Sequence, residues 1–182
     1  MIDTRKYYTI VAFNKLKDLL AQIEADNLNK QQLHQIRFEN DSSMFELAIA
    51  YNNYEIANYL IDIDTPINVV TKEGWNEFHY LASHLKDSQA ITIGNLLLER
   101  GVDLAQKDRK YGNTALLSLI IGVINKRSFD QLAFICRCVE KDQGLFEQNK
   151  TGKCAFDFLV QYGIEEGHFK NEQSVEKQPP KQ

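Results

Sequence analysis

With 182 residues, 43% of them hydrophobic and 25% charged, the chain has an ordinary globular composition and the length of one domain, with or without a tail. A net charge of −4 argues against non-specific nucleic-acid binding, which basic surfaces drive. No window approaches 18 apolar residues, so no membrane span is expected, and Met1-Ile2-Asp3-Thr4-Arg5-Lys6-Tyr7 leads into a mixed polar segment rather than a signal peptide.

Residues 3 to 24 read as one amphipathic helix, because Tyr8, Val11, Ala12, Leu16, Leu19, Leu20 and Ile23 recur at three- and four-residue spacing. Charged Lys15, Lys17, Asp18 and Glu24 fall mostly between them, and Asp26-Asn27 reads as a break. A second, more polar helix is expected from about Asn29 to Phe38, with Leu33 and Ile36 on its apolar side.

From Asn40 the chain repeats itself. Ser43-Met44-Phe45-Glu46-Leu47-Ala48-Ile49-Ala50 is echoed by Asn76-Glu77-Phe78-His79-Tyr80-Leu81-Ala82. Thr114-Ala115-Leu116-Leu117-Ser118-Leu119-Ile120 and Cys154-Ala155-Phe156-Asp157-Phe158-Leu159-Val160 follow. Each opening precedes a helix, and a second helix follows: Ile56, Ala57, Tyr59, Leu60 and Ile61 in the first unit, Leu96-Leu97-Leu98 in the second, Phe134-Ile135-Cys136 in the third. Gly74, Gly112 and Gly152 precede the last three openings, and Pro66 ends helical structure in the first unit.

On these residues the chain resembles the ankyrin-repeat family, whose period is about 33 residues. Asn68 stands at the family's closing Asn, Asn76-Glu77-Phe78-His79 keeps its His, and Asn113-Thr114-Ala115-Leu116 keeps its Thr and Leu. Pro is missing from every Thr-Pro-Leu-His-like position. The intervals also depart from the family: 33 residues from Ser43 to Asn76, 38 from Asn76 to Thr114, and 40 from Thr114 to Cys154. Enlarged turns are expected near residues 85–88 and 125–128. The resemblance implies an all-α ankyrin solenoid of about four repeats over residues 40–167, with residues 1–39 as an N-terminal helical cap. The Lys-, Glu- and Gln-rich residues 168–182 read as a disordered tail.

Little in the sequence points to chemistry. Cys136, Cys138 and Cys154 are an odd count, which suits free thiols in a reducing, cytoplasmic setting. Cys136 takes a core position in the triplet, and neither it nor Cys138 has further ligands at metal-binding spacing. His79 and His84 lack the i, i+4 spacing of a zinc-binding helix. By the resemblance, His79 ties its hairpin to the neighbouring backbone. No phosphate-cradling glycine loop is present. No cofactor is expected, and a metal or cysteine enzyme is the weakest reading.

The resemblance implies instead a non-catalytic module that recognises one protein partner through its concave face and hairpin tips. Carried over by position, the protein-binding residues are Tyr51, Lys72, Glu73, Trp75, His84, Arg109, Lys110, Tyr111, Asn113 and Tyr162. Neither nucleic acid nor membrane is an expected partner, and a monomer is expected. The chain is similar to stand-alone bacterial ankyrin proteins, some of which are immunity proteins that block a toxin. Its negative charge would suit a basic toxin. A secreted effector that binds a host protein is the alternative.

Overall fold

Polar residues able to close a helix end stand before the apolar runs of this chain, and the helices begin there. The computed structural model describes residues 2–124 and 128–162. Ten helices lie among them: α1 (Thr4–Phe13), α2 (Leu16–Ala25), α3 (Lys30–Gln35), α4 (Met44–Ala50), α5 (Tyr54–Asp62), α6 (Glu77–Leu81), α7 (Ser88–Arg100), α8 (Ala115–Val123), α9 (Phe129–Val139) and α10 (Ala155–Tyr162). The described fold is all-α, with pairing between extended segments limited to isolated bridges at Arg37–Ser43 and Lys107–Thr114.

The repeated openings all act as helix starts. Ser43 Oγ accepts the Glu46 N–H at 3.1 Å while the Glu46 carboxyl accepts the Ser43 N–H at 2.8 Å. This reciprocal capping box satisfies two donors that a helix N-terminus otherwise leaves free. At the equivalent place the Asn76 N–H donates to His79 Nδ1 (3.2 Å) and the Cys154 N–H to Asp157 Oδ2 (2.9 Å). In the third unit Thr114 Oγ1 accepts the Leu117 N–H at 3.1 Å.

The helices pack in two rows. In one row α1, α4, α6, α8 and α10 each lie against the next, and behind it α2, α5, α7 and α9 do the same. Across the rows α1 pairs with α2, α4 with α5, α6 with α7 and α8 with α9. Phe45, Ile49, Ile56, Leu60, Phe78, Leu81, Ile93, Leu97 and Phe134 are fully buried between the rows. Burial of such side chains contributes about 1.5–3 kcal/mol each, which is what holds helices this short.

Several expectations need correction. Residues 3–24 form two helices, not one. Asn14 is extended, and Asn53 Nδ2 donates to both Val11 O (2.9 Å) and Asn14 O (2.8 Å), so the turn carbonyls are taken by a residue 39 positions away. Lys15 then starts α2, its N–H bonded to Asp18 Oδ2 at 3.1 Å. The hydrophobic spacing runs on through this break because α1 and α2 bury the same core. Tyr7 latches the pair by donating to Asp26 Oδ2 (3.0 Å) and Gln22 O (3.3 Å). The helix expected from Asn29 to Phe38 covers only Lys30–Gln35, and Ile36 and Phe38 are buried in the segment that follows.

The turn expected near residues 85–88 is enlarged, six residues linking α6 to α7 where three link α4 to α5. α7 also has 13 residues against nine in α5, so the back-row helix lengthens as well. Of the turn near 125–128, residues 125–127 lie outside the described residues, as does the 168–182 tail. Cys138, not Cys136, is the buried thiol of α9, which turns Phe134, Ile135 and Cys138 inward and leaves Cys136 half-covered.

Candidate binding face

Four tight tips join the helix pairs along the edge of the front row. Each carries a residue in the left-handed region at its turn: Asp41 (φ 66°), Gly74 (81°), Gly112 (72°) and Gly152 (76°). Gly74 is required twice over, since a Cβ there would also lie 2.7 Å from Lys107 O. The tips are bonded to one another through the backbone. The Lys72 N–H donates to Asn40 O (3.0 Å), the Arg109 N–H to Glu73 O (2.7 Å) and the Lys150 N–H to Tyr111 O (2.9 Å). Lysine ammonium groups reinforce the edge: Lys72 Nζ donates to Glu39 O at 2.6 Å, and Lys150 Nζ to Arg109 O and Lys110 O.

Behind the tips the front-row helices present a continuous hollow. Its wider part, about 1170 Å³, lies between α1, α4 and the first two tips and is lined by Arg5, Tyr8, Tyr51, Lys72, Glu73 and Tyr80. A narrower slot of about 480 Å³ continues from it, lined by Ala50, Trp75, His79, Tyr80, Ala82, Ser83, His84, Ser118, Ile121 and Gly122. Trp75 is 38% exposed and Ile121 41%, so both offer apolar surface there. The Trp75 ring stacks within 5° of the His79 ring plane and meets Tyr80 edge-on at 5.3 Å.

His79 is positioned by hydrogen bonds from both sides. Its Nδ1 lies 3.2 Å from the Asn76 N and 2.9 Å from Asn76 Oδ1, and its Nε2 lies 3.5 Å from Asn113 O in the next tip. Burial lowers its pKa, so the ring is neutral around pH 7. It ties its own helix start to the neighbouring tip, as the resemblance implies.

Five of the ten residues read from the sequence line the two parts of this hollow. Tyr51, Lys72 and Glu73 line the wider hollow, and Trp75 and His84 line the slot. Arg109, Lys110 and Tyr111 stand exposed on the third tip beside it, where Lys110 Nζ sits 4.7 Å from the Tyr111 ring centre. Asn113 is half-buried and its side chain is held by Asn149 Nδ2 at 2.8 Å, so it joins the third and fourth tips. Tyr162 stands apart, at the end of α10, stacked on Phe158.

The sequence reading passed over Tyr8 and Tyr80. The Tyr80 hydroxyl accepts from Asn40 Nδ2 at 3.0 Å, and burial pushes its pKa up to about 12. Its place directly after His79 was the available signal. Tyr8 needed the α1–α2 break to be recognised, because that break turns α1 into the first front-row helix.

Among the described residues, no group of three His, Cys, Asp or Glu side chains is placed to hold a metal ion. Burial pushes the Cys138 thiol up to about 12, which makes it a packing group rather than a nucleophile. No helix among the described residues is long and apolar enough to cross a membrane. Neither a protein-family model nor a curated protein matches this chain.

Proposed function

We propose that this chain is a divergent ankyrin-type module with no catalytic role, which recognises one protein partner along its tips and front-row hollow. The observation that carries this reading is the slot between α6 and α8. It joins exposed apolar surface of Trp75 and Ile121 to polar groups of Ser83, His84 and Ser118. Protein interfaces favour such a combination, with a buried aromatic anchor and a polar rim. The slot is preformed by packing and by the bonded tips, so little ordering cost falls on this chain when it binds.

The test is capture of the partner from the native host by full-length protein and by slot variants. Trp75→Ala and Ile121→Asp should each lose the captured protein, while Lys86→Glu, exposed in the α6–α7 link, should keep it. Equal capture by the slot variants and the parent would reject this face as the binding site.

A further inference from the structure

The chain carries a net charge of −4, yet its tips do not share that sign. On the third and fourth tips Arg109, Lys110, Lys150 and Lys153 are all exposed. Among the described residues none of the four has a carboxylate within ion-pair distance, whereas Lys72 and Lys107 are paired with Asp41 and Glu147. Asp108, beside Lys110, is buried, and its carboxylate accepts the Tyr111 N–H (2.6 Å) and the Asn113 N–H (2.9 Å), while Asp157, beside Lys153, has its carboxylate taken by the Cys154 N–H at 2.9 Å. Asp108 steadies the turn from inside. Two of the four cations are also held in place: Lys150 Nζ is anchored on the carbonyls of Arg109 and Lys110, and Lys110 lies over the Tyr111 ring. Tyr111 stands 54% exposed in their midst.

The first two tips differ. They carry Glu39, Asp41 and Glu73 alongside Arg37 and Lys72, so charge there is mixed. Residues outside the quartet therefore sum to −8 across the whole chain. A long polyanion would meet repulsion on leaving the strip, and a short acidic segment would not. The strip also borders the Trp75 slot, because the second and third tips are joined by the bond from the Arg109 N–H to Glu73 O.

We infer that Arg109, Lys110, Lys150 and Lys153 with Tyr111 form the docking strip for an acidic, extended protein segment. The inference rests on the proposed binding role and deepens it, since it fixes the charge of the partner and the end of the array where its acidic residues lie. A basic partner is disfavoured on this edge, whatever the sign of the whole chain.

The probe is a fluorescently labelled decaglutamate peptide, titrated with full-length protein at about 50 and 200 mM salt, with decalysine and a ten-residue oligothymidine as comparisons. Decaglutamate should bind, and its affinity should fall several-fold at the higher salt. Arg109→Glu/Lys110→Glu should weaken it at least about tenfold, a change equivalent to 1.4 kcal/mol. Lys17→Glu/Lys86→Glu, with the same change in net charge at exposed sites elsewhere, should bind like the parent. Arg109→Gln/Lys110→Gln, which adds no acid, should also weaken binding with an unchanged circular dichroism spectrum. Equal decaglutamate affinity in the parent and both strip variants overturns the inference. So does tighter binding of decalysine, or of the oligonucleotide, which would assign the strip to nucleic acid. The strip is read with decaglutamate and the slot by partner capture, so either reading can fail alone.

Discussion

Glu46 and Glu77 are fully buried on adjacent front-row helices, and one carboxyl oxygen of each, Glu46 Oε1 and Glu77 Oε2, has no hydrogen-bond partner. Burial pushes Glu46 up to about 8, with the neighbouring Glu77 adding to the rise, and pushes Glu77 up to about 7. The folded state thus holds protons that the unfolded chain releases near pH 4.5. The stability they contribute is complete below that pH and is lost as pH rises through about 7 and 8. The thermal midpoint should therefore fall between pH 5 and 8. Glu46→Gln should flatten that fall and raise the midpoint at pH 8, by on the order of a few kcal/mol in stability. A midpoint for Glu46→Gln that tracks the parent at every pH would contradict the assignment. The capping pattern of Ser43 and Glu46 could be read from the sequence, but the burial of its carboxyl could not. Burial follows from α4 being covered by α1 on one side and α6 on the other, which the spacing of one helix does not encode.

Among the elements, the close approach of α8 to the end of α6 depends on one glycine. A Cβ at Gly122 would lie 2.1 Å from Ala82 O, and the contact is with backbone that cannot swing aside. Gly122→Ala should therefore separate the two helices and cost about 1–3 kcal/mol, read as a drop in thermal midpoint with the slot widened. An unchanged midpoint would show that α6 and α8 are not held this tightly. Gly122 has an exposed side, so the sequence around it gives no sign of this contact. What the sequence shows well is the order of helices, since each opening from Ser43 to Cys154 precedes one. What it hides is the turn at Asn14, because Asn53, which takes the free carbonyls there, belongs to a different helix pair. The placement of the extra residues in α7 is hidden for a similar reason: the apolar spacing continues through it.

Across the whole molecule, helix pairs touch mainly their neighbours, so protection from solvent should grade along the array rather than be uniform. Amide exchange should be slowest in α4, α6 and α8, each flanked by front-row helices on both sides, and faster in α3, where Leu33 is the one buried residue. Uniform exchange across all of these helices would mean that the array opens as a single unit. The helix starts from α4 onward were readable from the repeats, while the break between α1 and α2 was not, and the charge pattern of the tips needed them to be brought side by side. Tip-to-tip bonding recurs although the openings are 33, 38 and 40 residues apart, and the helix that lengthens in the second interval lies in the back row. Length can thus be added or lost at the back while the edge keeps its bonded order. Insertions and deletions in a lineage of such chains would accumulate behind the face, and a partner docked on the tips would register only substitutions.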